Sequence, residues 1–452
     1  MTTKTTIYGK WLLAGVLTAL PFTIAANVYA APPQAVSKEA PTKEYELFLK
    51  EKLGITLPPA PKKGDFLSAL ADALKLEPTA DSVIFKDLAL SSPYYADAKA
   101  LYQQGFITAD SVHAADRLSA LNAVQIAVKA AGLQELADTY PKAKVEKAFA
   151  KLKLNTADFA ARSAQVVAAA VDTGLLPEAF YPELKPKAAA SEPLSATLIG
   201  KVLTVRGQYK HYIGYVGDPD IFGKLSDAYR SSDIIQSDEL QKIVDTALEQ
   251  NIVTGYNLKD ARYDANFVNS LSLTYGHSDL KHALQLIGLL RSEGIDAKVQ
   301  FEPKTSAFVY LKEWGDPGES DLYEVKQIAN GNYIEYAKEY DIAFEFDTAA
   351  DKERFDQIVL AYAKKNADEQ AGLIAGSWWQ PLYYSLTELK GYKKITNNKI
   401  TAGHYYAQSF SLKEQSASVT AGFKKADPSV KVENYDFWTD VPFFNYLNGE
   451  SK

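Results

Sequence analysis

Residues 85–132, FKDLALSSPYYADAKALYQQGFITADSVHAADRLSALNAVQIAVKAAG, contain two helical patterns joined by a turn-rich loop. Over 95–105 the apolar positions Ala98, Leu101 and Tyr102 recur at helical spacing, and Gly105 follows as a left-handed stop. A second helix begins after Ser119, whose hydroxyl suits an N-cap. It turns Val124, Ala127, Val128 and Ala131 inward and ends at Gly132. Two short amphipathic helices of this kind must bury their faces against similar neighbours, so this stretch predicts a helical layer for the first half of the chain.

The chain has 452 residues, 47% of them hydrophobic and 23% charged, enough for two or three domains with sizeable cores. Its beginning is different. Lys4 and Lys10 precede an apolar run over 11–26, and Val28-Tyr29-Ala30 places small residues at the usual cleavage positions, so residues 1–30 read as a secretory signal peptide. Pro21 interrupts the run, and about 16 apolar-rich residues is short for a membrane span. No later stretch approaches that length, so no transmembrane segment is expected after cleavage. The chain has no cysteine, which excludes disulfides, thiol catalysis and cysteine metal sites and fits secretion from a Gram-positive cell. Cleavage removes two lysines and no acid, which leaves 47 basic against 56 acidic residues and a formal charge of −9. That balance argues against nucleic acid as a partner.

Residues 31–44 read as a flexible linker rich in Ala, Pro and polar side chains. A short helix follows over 45–53, and prolines 58, 59 and 61 force an extended link into a helix over 65–76 with Phe66, Leu67, Leu70, Ala73 and Leu74 on one face. The order Phe-x-Asp, Tyr-Ala, Gly-Phe-Ile and Leu-Ser-Ala-Leu in 85–132 resembles an S-layer homology (SLH) motif. The 65–76 helix looks like the second half of an earlier copy. A third is suggested by a helix over 160–173, the turn Gly174-Leu175-Leu176 and a helix over 194–205. The resemblance implies a pseudo-threefold all-α bundle over 45–206, built of degenerate repeats that bury their faces against one another.

It also implies cell-wall polysaccharide or peptidoglycan as the partner. The family's Ile-Thr-Arg-Ala-Glu signature, whose arginine and acid help bind anionic polysaccharide, falls on Leu118-Ser119-Ala120-Leu121-Asn122 in the second copy and on 194–198 in the third, without either charge. The first copy keeps related chemistry, with Lys63 at the arginine position and Asp65 at the acid position, and Arg117 lies just outside the second signature. Lys63 and Asp65 also have an ordinary reading, as a solvated first-turn residue and an acid at a helix N-terminus.

From Gly207 tyrosines, glycines and β-branched residues increase, and 207–452 is expected to form an α+β domain. Helices are predicted over 225–229, 238–250, 279–291 and 350–365, a half-buried strand over 267–275, and strands over 297–301 and 307–311 paired as a hairpin. The passage DLKHALQLIGLLRSEGIDAKV, residues 279–299, resembles the core of a transglutaminase-like fold. That resemblance puts Asp279 at the cysteine position, Ser306 at the histidine position and Asp347-Thr348 at the family's Asp-Pro-Thr. Thiolate acyl transfer is impossible with those residues.

Gly276-His277-Ser278-Asp279 places a serine at a strand-to-helix turn of the kind used by hydrolases, although Leu280 replaces the second glycine. His277, Ser278 and Asp279 are therefore the alternative catalytic candidates beside the plain reading of an N-cap serine with a first-turn acid. No histidine joins a metal-binding pattern, with His277 and His282 off a common face, and neither metal nor cofactor is expected. Carboxylates such as Glu302, Glu345 and Asp347 form no family pattern for glycoside cleavage. Trp378 and Trp379, with Tyr383 and Trp438, could offer aromatic faces to sugar rings. The expectation is a secreted or wall-associated protein that binds without catalysis, through its SLH-like repeats and a C-terminal binding or scaffold domain. The alternative is a wall-directed hydrolase or a transglutaminase-like enzyme with non-thiol chemistry.

Overall fold

The apolar faces between residues 45 and 206 meet in a single core. In the computed structural model, which describes residues 41–185, 187–363 and 382–450, this region holds α1 (Pro41–Leu53), α2 (Lys63–Ala73), α3 (Tyr95–Gln103), α4 (Ala120–Ala130), α5 (Gln134–Asp138), α6 (Lys142–Leu152), α7 (Ala161–Asp172) and α8 (Glu192–Val205). Helix α3 packs on α2, α7 on α4 and α1 on α8, so the three helix pairs close in a cycle. The inner helices start from Lys62, Ser119 and Ser191, and backbone bridges Lys62–Arg117 and Ser119–Ala189 link these starts. Ser191 accepts from the Leu194 amide, so α8 begins earlier than the expected 194 and its first-turn residue is Glu192.

Local chemistry explains the turns. Gly105 has φ +74°, and the Phe106 amide returns to the Leu101 carbonyl at 2.9 Å, a left-handed helix stop. Asp87 holds the following loop, accepting from the amides of Val112 and His113 at 2.7 Å each. A Cβ on Gly64 would lie 2.9 Å from the Tyr94 ring, so glycine lets that ring cross the first turn of α2.

The second half contains β1 (Gly214–Tyr215), α9 (Ile221–Arg230), α10 (Asp238–Glu249), β2 (Gly255–Asp260), β3 (Ser272–His277), α11 (Leu280–Ser292), β4 (Ala297–Tyr310), β5 (Tyr323–Gln327), β6 (Tyr333–Phe346), α12 (Ala349–Ala363), β7 (Leu382–Ser385), β8 (Lys393–Ala402), β9 (Tyr405–Ser411), α13 (Ser416–Ala426), β10 (Val432–Thr439) and α14 (Val441–Leu447). Strands run in the order β4-β2-β9-β8-β10-β7-β3-β6, all antiparallel, and β6 pairs back onto β4. This closed eight-stranded barrel corrects the expected architecture of an all-α bundle followed by an α+β domain. The expected hairpin over 297–311 is likewise one continuous strand, β4, whose partner is β6.

Side-chain alternation accounts for the closure. On β4, Val299, Phe301 and Ala307 alternate with Lys298, Gln300, Glu302, Lys304 and Ser306. On β6, Ile334, Tyr340, Ile342 and Phe344 alternate with Glu339, Asp341, Ala343 and Glu345. The apolar set faces outward and is covered by α9, α11 and α12 on one side and by α10 and α13 on the other. The polar set faces the lumen. One lumen end is apolar: Ile395, Phe410 and Phe437 meet Phe443, Phe444 and Leu447 of α14. The aromatic C-terminal tail therefore closes the barrel rather than standing free.

At the opposite end, buried charges tie the barrel to α1. Glu345 Oε1 lies 2.7 Å from Lys210 Nζ and 2.9 Å from Lys298 Nζ, and its Oε2 accepts from the Val268 amide at 2.8 Å. Glu44 of α1 meets the same two ammonium groups at 2.8 and 3.1 Å. Removing one member of such a cluster strands the others without water. Glu345→Gln is expected to lower stability by about 3–5 kcal/mol, read as the urea midpoint of unfolding. A loss comparable to that of a surface carboxylate would contradict this assignment.

Candidate functional site

Lys63, the first residue of α2, lines a groove of ≈ 590 Å³ together with Asn122, Gln125 and Lys129 of α4 and Arg162 and Ser163 of α7. The Gly105–Thr108 turn after α3 closes one side. Three cations line this groove and no carboxylate does, in a protein whose net charge is negative. Burial pushes the Lys63 ammonium below its usual range, with Asp87 and Asp116 acting against that shift. Burial and then the charge of Arg162 lower Lys129. An anion entering here would offset the cost of burying these ammonium groups and weaken the repulsion between Lys129 and Arg162. Arg162 keeps one exposed partner, Asp138 at 3.4 Å, and Gln125 Nε2 donates to Ser163 Oγ at 3.0 Å.

The other expected residues of this region are placed differently. Asp65 caps its own helix, accepting from the Lys62 amide at 2.9 Å and from the Tyr94 hydroxyl at 2.8 Å. Arg117 is exposed and does not line the groove. Asn122, at the signature's acid position, does line it, whereas Lys129 and Arg162 lie outside the signature. Their relevance follows from the packing of α7 on α4, which the motif alone does not reveal.

The His277–Asp279 turn joins β3 to α11. Asp279, rather than Ser278, is the N-cap, accepting from the Lys281 amide at 2.9 Å. The Asp279 amide donates to His277 Nδ1 at 2.8 Å, so that nitrogen is unprotonated and Nε2–H donates to His282 Nδ1 at 2.9 Å. The two imidazoles, read from the sequence as facing apart, are thus in direct contact. Burial lowers the His282 pKa against the pull of Asp279. His277 and Ser278 also border a cavity of ≈ 200 Å³ under α14, with Lys304, Ser306 and Glu339 at its floor. Ser306 donates its one proton either to Glu339 Oε2 at 2.5 Å or to Asn257 Oδ1 at 2.8 Å. Asp347 does not join them: Ser306 pairs with Ala337 on β6, roughly 30 Å along the strand from the end that Asp347 follows.

The centre of the lumen is a ladder of charges. Lys259 Nζ sits 2.5 Å from Glu302 Oε2 and 2.9 Å from Asp341 Oδ2, and Lys304 Nζ sits 2.9 Å from Asp341 Oδ1. Glu302 Oε1 accepts from the Ala265 amide at 2.8 Å. Glu302 and Glu345 are therefore committed to buried pairs, and the described residues hold no group of three or more His, Asp or Glu able to bind a metal. Tyr383 is buried on the outer face of the barrel, and Trp438 lies beneath Lys394. Trp378 and Trp379 lie outside the described residues. No protein-family model matches the chain, and no curated protein matches its sequence.

Two measurements check this electrostatic picture. Burial opposes ionisation of Asp341, but Lys259 and then Lys304 hold its carboxyl down at about 2, from an ordinary 3.8. The folded value lies below the unfolded one, so its stabilisation is complete above 3.8 and is lost as pH falls towards about 2. Burial shifts Glu302 in the opposite direction, so the comparison that isolates Asp341 is wild type against Asp341→Asn. The variant should lose less stability across that interval, and equal slopes would contradict the ladder. Nitrogen-15 spectra should show neutral His277 as the Nε2–H tautomer, and an Nδ1–H signal would rule out the hydrogen-bond chain.

Proposed function

We propose that the protein is exported to the cell envelope and associates without catalysis with an anionic wall polysaccharide, held in the groove between α2, α4 and α7. The observation that carries this reading is the acid-free convergence of Lys63, Lys129 and Arg162. Three cations on separate helices suit a polymer bearing spaced carboxylate or phosphate groups, and the amide and hydroxyl groups of Asn122, Gln125 and Ser163 suit its sugar hydroxyls. The resemblance to SLH repeats points to the same class of partner, and the signal-like leader points to the same compartment. No helix among the described residues is long and apolar enough to cross a membrane. The ion-paired carboxylates of the barrel favour binding over hydrolysis, because a general acid or base needs a proton position left open to substrate.

The test is co-sedimentation of the mature protein with isolated Gram-positive cell walls. Wild type is expected to sediment, less so as salt is raised. Lys63→Ala combined with Arg162→Ala should weaken retention by roughly tenfold or more, and Lys63→Arg should keep it. Failure of wild type to sediment would reject wall association, and undiminished retention of the double variant would reject the groove.

A further inference from the structure

The barrel holds a second chamber, distinct from the groove. It occupies ≈ 740 Å³ of the lumen between the Lys259–Glu302 pair and the end near α1, where Lys52 and the 207–209 segment border it. That volume is within the usual range of small-molecule sites. We infer that this chamber binds a short, uncharged oligosaccharide.

Charge narrows the ligand first. Three lysines and four carboxylates line the chamber, and the innermost, Lys259 and Glu302, neutralise one another. A phosphate would find no excess of positive charge there, unlike an anion in the helical groove, and the carboxylates outnumber the lysines by only one. The neutral groups specify the rest. Tyr384, Tyr406 and Tyr435 bring aromatic rings and hydroxyls to one lining. The Tyr435 hydroxyl accepts from Asn397 Nδ2 at 2.7 Å and from Gln408 Nε2 at 3.3 Å, which leaves its own proton to be donated. Asn397, 1% exposed, holds that hydroxyl from the lumen face of β8 without itself lining the chamber. Lys399 lies 4.4 Å over the Tyr406 ring, and both line the chamber. Flat aromatic faces beside the Tyr435 hydroxyl donor, the Gln408 amide and the Lys399 ammonium, under nearly balanced charge, match a sugar ring, whose hydroxyls both give and take hydrogen bonds while its C–H face stacks.

The test is calorimetric titration of the mature chain with triacetylchitotriose, maltotriose and tripolyphosphate. At least one trisaccharide is expected to bind saturably, and tripolyphosphate is expected not to displace it. Tyr435→Phe, which removes one oxygen, and Lys399→Ala, which truncates a half-exposed side chain, should each weaken binding roughly tenfold with a wild-type thermal melt. Lys63→Ala should leave trisaccharide binding unchanged, which separates this chamber from the helical groove. The proposal is overturned if neither trisaccharide binds, if tripolyphosphate displaces the sugar, or if both lumen variants bind like wild type. Should either variant melt early, tyrosine ring shifts in the wild-type spectrum decide: sugar-induced shifts confined outside the lumen also overturn it.

Discussion

The second half of the molecule depends on the pairing of β4 with β6 along fourteen residue pairs, from Ala297–Phe346 to Tyr310–Tyr333. An open sheet with these strands at its edges would leave two long rows of amides and carbonyls unpaired. Closure satisfies them and decides the fate of the side chains. Once the strands curve into a ring, one face of each has only other strands opposite it, and that face carries Glu302, Lys304, Glu339, Asp341 and Glu345. Such charges persist in a closed space because each carboxylate has an ammonium or amide within hydrogen-bond distance. The apolar face is left outside and must be covered, which is why helices pack around the barrel.

The same electrostatic logic works in reverse in the helical region. The barrel compensates its buried charges almost completely, whereas the groove beside α2 gathers Lys63, Lys129 and Arg162 with no carboxylate among its lining residues. A saturated charge network stabilises structure and has little left to offer a ligand. An unsaturated one retains attraction for an anion. The molecule thus keeps a local surplus of positive charge along the lining of the helical groove, with its nearest carboxylates set behind that lining, and aromatic and neutral hydrogen-bonding groups in the lumen. The two places suit different ligand chemistries.

Much of the helical region was legible in the sequence because its signals are local. Gly105, Ser119 and the faces around Leu67 and Val124 each act within a few residues. One local signal was missed: Ser191, which caps α8, was not read as a cap, so the expected start at 194 fell inside the helix. Lys63 was legible through its place in a repeated motif. Lys129 and Arg162 were not, since they are more than thirty residues apart and meet only because α7 leans on α4.

The barrel strands were recognisable by their alternation, but their architecture was not. A period of two says that the faces of a strand differ, without saying whether the polar face meets water or a lumen. The sequence by itself determined the helix stops and caps, the two faces of each strand, the absence of thiol chemistry and the charge balance, because each depends on residue identity or short-range spacing. Tertiary structure alone decided that β4 would find β6, that the polar faces would turn inward, and that three scattered cations would share one groove. Those outcomes depend on contacts between distant segments, whose free energy is gained only when the chain closes on itself.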